Sequence, residues 1–273
     1  GLDVLFVWHF GLGARGVGLG TASAEWTALI TGLVIASRYT GGLAVLRRFS
    51  ARALFARDAL RRLFAVNADI MVRTLALLLL FGWFTNAGAR LGATTLAANQ
   101  VLMQFVTVSA FVLDGFAFTA ESRIGQAIGG ESAAVLRRAI RLTAEFCVGS
   151  GVLFAVLIWL VGHAVIDLLT SNAAVRGIAY ALLPLAAIAP AIGAPAWLLD
   201  GVFIGATRGR ALRNAAILAT ALYIGTDLLL RPLGAAGVWC ALVLSYVYRA
   251  LSLGAHLPAL LRSAEVAPAE VAP

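Results

Sequence analysis

Leu113-Asp114-Gly115-Phe116-Ala117 and Leu199-Asp200-Gly201-Val202-Phe203 are two versions of one short phrase, each set deep in an apolar stretch. Each is followed, where the apolar run ends, by glycine and then by arginines. A carboxylate in such a run costs roughly 2.5–3.5 kcal/mol on membrane-insertion scales, so it faces a protein interior or a watery path. Two of them in matching contexts point to a membrane protein built from repeats, with ionisable groups along a transport route.

Composition agrees. The 273 residues are 61% hydrophobic and 12% charged, with a mean hydropathy of +0.93. A soluble domain carries about twice that share of charge, roughly 25%. All 21 basic residues are arginine. The net charge of +8 does not read as nucleic-acid binding, because the arginines are spaced between apolar runs long enough to cross a bilayer. Cys147 and Cys240 fall inside apolar runs and read as buried thiols. His9, His163 and His256 are scattered and form no metal-ligand pattern.

Runs of about 20 largely apolar residues mark membrane spans. They predict spans near 17–37, 68–88, 93–120, 141–162, 178–205, 211–230 and 235–257, after an apolar remnant at 1–10. The remnant has no basic n-region and no cleavage site, so it reads as the end of a membrane helix whose start lies outside the chain. Arginine orients the spans. Fourteen arginines fall in connections on one side, among them Arg47, Arg48, Arg137, Arg138, Arg208 and Arg262, against Arg15, Arg90, Arg176 and Arg231 on the other. Short cytoplasmic loops carry the basic excess, so the rich side and the C-terminus are expected in the cytoplasm. Arg73, Arg123 and Arg249 lie inside spans or at their ends.

Residues 39–65 interleave arginines with Leu46, Phe49, Leu54, Phe55, Leu60, Leu63 and Phe64. This reads as a basic amphipathic helix on the inner membrane face, joining two halves of a transporter, or else as a solvated loop. Residues 263–273, with Pro268 and Pro273, read as a disordered tail. A second internal echo links Asp3 through Gly16-Val17 with Asp227 through Gly237-Val238. In both, an Asp ends one helix, a glycine-containing turn follows, and Gly-Val opens the next. If the halves are equivalent, the second has six spans and the first is represented by its last span and the tail of its fifth.

The run Leu96-Ala97-Ala98-Asn99-Gln100, the Leu113–Ala117 phrase, Gly125-Gln126-Ala127-Ile128-Gly129, Leu168-Leu169-Thr170-Ser171-Asn172 and Leu199 through Arg208 follow one another in order and spacing. Together they resemble multidrug and toxic compound extrusion (MATE) transporters, most of all the DinF-type branch. The resemblance implies an all-α polytopic membrane protein with two six-helix lobes around a cavity. It implies residues 1–38 as the end of the N-lobe, 39–65 as linker and 66–262 as a complete six-helix C-lobe. It implies export of lipophilic or cationic small molecules by alternating access from a bacterial inner membrane. The driving ion would be H+ or Na+, with no other cofactor, and the transporter would work as a monomer in contact with membrane lipids, without nucleic acid and not as an enzyme. In DinF-type members a coupling Asp in the fifth helix works near an Asn one turn earlier and a Thr in the sixth. Asp3 and Thr21 fall at the Asp and the Thr, and the Asn position precedes Gly1. As given, the chain is expected to be inactive alone. Two alternatives stay open: a flippase for lipid-linked oligosaccharides from the related superfamily, and a non-transporting membrane scaffold. A flippase requires a cationic cavity for its headgroup, whereas the intramembrane groups here are mainly acids and amides, with Arg249 the exception.

Within the later spans, Asp114 and Asp200 read either as protonatable or substrate-binding carboxylates or as hydrogen-bond anchors between helices. Arg208 is the cation expected near Asp200. Asn99, Gln100 and Gln104 read as cavity-lining amides or as helix glue. Asp69 and Arg73, four apart on one helix, are expected to pair. Pro184, Pro190 and Pro195 predict a kinked span. The six tryptophans read mostly as interfacial anchors, with Trp197 the exception as a possible cavity residue.

Overall fold

The computed structural model describes residues 5–40, 56–130 and 133–266, and every regular element in them is helical. A short π-turn at Leu5–His9 precedes α1 (Gly13–Thr40), α2 (Arg57–Arg90), α3 (Ala93–Gly130), α4 (Ala133–Leu169), α5 (Ala173–Gly205), α6 (Gly209–Leu230) and α7 (Ala235–Val266). All seven α-helices contain a stretch long and apolar enough to cross a membrane. Even α6, with 22 residues, is about 33 Å long, enough for a hydrocarbon core of about 30 Å. Each expected span lies within one of these helices. Several helices run on past the apolar run: α4 begins at 133 and carries Arg137, Arg138 and Arg141 in its early turns. The protein is a multi-pass membrane protein.

The chain forms two compact units, residues 1–62 and 63–273. In the first, α1 exposes apolar residues such as Trp26, Ile30 and Leu33. Of the stretch 39–65, residues 41–55 lie outside the described residues, and 57–65 form the first turns of α2.

In the second unit, short connections fold α2 to α7 back and forth. Asn172 caps α5 by accepting from the backbone N–H groups of Ala174 and Val175 at 3.0 and 3.3 Å. A single 3-10 turn (Arg231–Leu233) links α6 to α7. The central element is α5, which packs on α3, α4 and α7. Lipid tails are as apolar as leucine, so burial alone does not bring helices together in a membrane; close packing of small residues does. Accordingly, α5 buries Ala179, Ala186, Ala189, Gly193, Ala194 and Ala196. A Cβ on Gly201 would lie 2.2 Å from the Ala117 carbonyl oxygen, and one on Gly205 would lie 2.4 Å from that of Glu121. Two glycines four apart therefore let α5 touch the backbone of α3. Gly115, the twin of Gly201, has nothing near it. The three prolines are accommodated inside a continuous α5.

Two apolar cores occupy opposite ends of this unit. One gathers Phe84, Leu102, Ile166, Leu183, Tyr223 and Trp239. The other gathers Leu113, Ile124, Leu136, Phe203, Leu212 and Leu253, and Trp197 packs against both. The outer surface is apolar too, with Phe111, Phe118, Phe146 and Leu160 exposed, as lipid requires.

The Gly-Val echo has a geometric counterpart. A Cβ on Gly16 would lie 3.0 Å from the Phe6 backbone, and one on Gly237 would lie 2.2 Å from the Leu230 carbonyl oxygen. Phe6 and Leu230 each stand three residues after the paired aspartates Asp3 and Asp227. At both places a glycine lets a new helix start against the end of the previous one.

Candidate functional site

Four charged side chains gather in the middle of this unit. Asp200 on α5 is 6% exposed and accepts a hydrogen bond from the Arg73 guanidinium on α2. Arg249 on α7, also 6% exposed, brings its Nη2 to 3.6 Å from the same carboxylate oxygen. Asp114 on α3 is half-buried, within electrostatic reach of Asp200, Arg249 and Arg73. Four helices thus deliver two cations and two acids to one place. A charge removed from water needs a partner with good geometry; here one carboxylate serves two guanidiniums.

Aromatic rings close one side. Trp197, three residues before Asp200, lies with its ring centre 6.0 Å from the Arg249 guanidinium carbon, close enough for a cation–π contact. The Tyr246 ring, one turn before Arg249 on α7, stands 5.0 Å from Trp197. The Tyr246 hydroxyl and the Nε atoms of Arg73 and Arg249 are buried and have no hydrogen-bond partner among the described residues.

Other polar residues hold helices together. Asp69 pairs with Arg213 of α6 at 2.6 Å, not with Arg73 on its own helix. The expected Asp69–Arg73 pair is thereby corrected: each side chain finds a partner on a neighbouring helix. The partners of Asp200 are Arg73 and Arg249, not Arg208. Asn99 is buried and accepts from the Trp239 indole N–H at 2.9 Å. Trp239 is fully buried, so it is a core residue rather than an interfacial anchor. Gln100 and Gln104 lie exposed on α3. Asp227, 2% exposed, accepts from the Trp83 indole N–H at 2.8 Å and from Arg90 at 3.1 Å. Thr21 is exposed on α1, and Asp3 lies outside the described residues. Among the described residues no group of three or more His, Cys, Asp or Glu could hold a metal ion.

The Asp227 contacts should contribute unequally. The Arg90 side chain is 39% exposed, so its ion pair is screened. Trp83→Phe is expected to cost about 1.5–3 kcal/mol through a lost bond to a buried carboxylate, and Arg90→Gln less than about 1 kcal/mol. Unfolding midpoints of the two variants in detergent check the order; a larger loss for Arg90→Gln contradicts it.

Sequence reading missed the joining of Arg73 to Arg249. The signal was present: both fall inside spans, where the alternation of arginines between the two sides gives them no place. The charges of this cluster are therefore as much cationic as acidic, unlike the mainly acidic set expected.

The MatE family model matches residues 70–229, which run from α2 to the end of α6 and carry Arg73, Asp114 and Asp200. The chain belongs to the MatE family. It is 39% identical over 259 residues to the DNA damage-inducible protein F of Escherichia coli, covering 93% of this chain and 55% of that protein. It is 29% identical over 184 residues to a probable multidrug resistance protein NorM of Aromatoleum aromaticum, covering 63% of this chain and 37% of that one. The chain thus spans little more than half of the first relative and less of the second. The fold matches a MATE crystal structure in the straight conformation with a TM-score of 0.84 at 18% identity, over 97% of this chain and 60% of that one. The bent form of the Vibrio cholerae MATE transporter VcmN matches at 0.80 and 18% identity, over 97% and 60%. The MatE fold is thus present at both the sequence and the coordinate level.

Proposed function

We propose that the whole protein is a secondary-active exporter of lipophilic or cationic small molecules, driven by uptake of H+ or Na+ and working by alternating access. The observation that carries this reading is the cluster of Arg73, Asp114, Asp200 and Arg249, which brings four charges from four apolar helices to one place where charge is costly. Membership of the MatE family supports it, as does a relative named as a probable multidrug resistance protein. In this reading residues 1–38 end an N-lobe, 39–65 link the lobes and 66–262 form the C-lobe. The protein works as a monomer in a bacterial inner membrane with its C-terminus in the cytoplasm.

Ion coupling is assigned to Asp3 with Thr21. The shared geometry at Gly16 and Gly237 supports treating Asp3 as the counterpart of Asp227, whose carboxylate is buried at a helix end. A carboxylate with a neutral partner in low dielectric takes up a proton more readily than one in water, and losing its charge lets the helices around it rearrange.

The test is drug susceptibility of a pump-deficient bacterium expressing the whole protein. Wild type should protect against cationic dyes, and Asp3→Asn should lose protection at an unchanged membrane level. No protection from well-expressed wild type would defeat the exporter reading. Normal protection by Asp3→Asn would move the coupling site elsewhere. The two arginines within the spans, Arg73 and Arg249, favour one rival, a flippase for lipid-linked oligosaccharides; rescue of a flippase-deficient strain, which the exporter reading does not expect, would decide for it.

A further inference from the structure

Arg249 is a buried guanidinium that makes no hydrogen bond among the described residues. Its contacts are the 3.6 Å ion pair to Asp200 and the face of Trp197. Asp200 is already engaged by the Arg73 hydrogen bond. One turn earlier on the same face of α7, the Tyr246 hydroxyl is buried and without a hydrogen-bond partner among the described residues. The Arg249 Nε–H and the Tyr246 O–H are therefore two donors one turn apart with no acceptor among the described residues. Buried donors are normally satisfied, and exceptions ask for a reason.

The surroundings state what kind of acceptor fits. A cationic ligand at Arg249 would meet two guanidiniums, with Asp200 already shared between them and Asp114 half-buried to one side. A carboxylate or sulfonate would meet the planar fork of Arg249, whose geometry matches two oxygens at once. Trp197 offers an apolar, half-buried flank for the rest of such a molecule, and the partly exposed Arg73 and Asp114 lie on the accessible side. We propose that the C-terminal half docks the acid group of an amphiphile, a carboxylate or sulfonate, on Arg249 and Tyr246, with its apolar body against Trp197. This rests on the exporter reading and deepens it: compounds recognised in this half are acids rather than cations.

The experiment is binding of octanesulfonate and octyltrimethylammonium, matched in tail and opposite in charge, to the whole protein in phosphatidylcholine nanodiscs. Calorimetry is read against empty discs. Wild type should bind the sulfonate about tenfold or more tightly than the ammonium compound, and Arg249→Gln should weaken the sulfonate by about the same factor. Arg249→Lys should recover part of the loss, keeping the charge without the fork, and Tyr246→Phe should cost about threefold. A preference of wild type for the ammonium compound overturns the proposal, whether or not the Arg249 variants fold. So does unaltered sulfonate binding in folded Arg249→Gln. Replacing part of the lipid by phosphatidylglycerol separates two sources of the acid: competition at this site assigns it to a lipid headgroup, and no effect to a free amphiphile, and both outcomes uphold the acid group. If sulfonate binding fails while drug protection persists, the exporter reading stands without this site. If protection fails while sulfonate binding persists, the site stands without that reading.

Discussion

Asp200→Asn is expected to cost the second unit about 3–5 kcal/mol, because it leaves the buried Arg249 and the half-buried Arg73 without their shared counter-charge. The side chains of Asp200 and Arg249 are each 8% exposed and that of Arg73 18%, so water does little to screen them. Asp114 forms no ion pair with either arginine among the described residues. The visible result is a lower unfolding midpoint in detergent and less folded protein in the membrane. Arg249→Gln should cost less, since it leaves the Arg73–Asp200 bond intact. Combined with Asp200→Asn it should recover part of the loss, because the remaining site then holds one unpaired cation instead of two. An Asp200→Asn protein that unfolds like wild type contradicts the anchoring role. If that same variant is well folded yet no longer coupled to the ion gradient, the C-terminal half holds the coupling site in place of Asp3.

Gly201→Ala is expected to separate α5 from α3, and Gly115→Ala to be harmless. The two glycines stand in the same phrase, yet a methyl group at Gly201 would lie 2.2 Å from the Ala117 carbonyl oxygen and one at Gly115 would meet nothing within 4 Å. Backbone cannot swing aside as a side-chain tip can, so the helices must move apart. Overpacking of this kind costs about 1–3 kcal/mol and sometimes more. At Gly115 the same change should be neutral or stabilise by up to about 1 kcal/mol, since alanine favours the helix. Unfolding midpoints of the pair decide the matter; equal losses would mean the helices do not touch as described.

The fold was legible because lipid imposes a simple requirement. Each crossing needs about 20 apolar residues with every backbone group bonded inside its own helix, and hydropathy reads that directly. The pairing of polar side chains was much less legible. The spacing of Asp69 and Arg73 invites a bond along one helix, but Arg213 and Asp200 present better partners across helices, and sequence spacing carries no record of which helices become neighbours. Trp239 looked like an interfacial residue because it stands near the start of its span. Only the fold reveals Asn99 opposite its indole N–H. The twin phrases at Asp114 and Asp200 are alike in sequence and unlike in place: α5 is central and α3 lies to one side, so one aspartate is locked between arginines and the other stays half-exposed.

Gradient-driven transport by the purified whole protein in liposomes is the most direct measurement. A fluorescent lipophilic cation should be expelled when a gradient of H+ or Na+ is imposed, expulsion should stop when an ionophore collapses the gradient, and Asp3→Asn should show leak alone. Folded protein that moves no compound of a varied panel in response to either gradient would contradict the exporter reading.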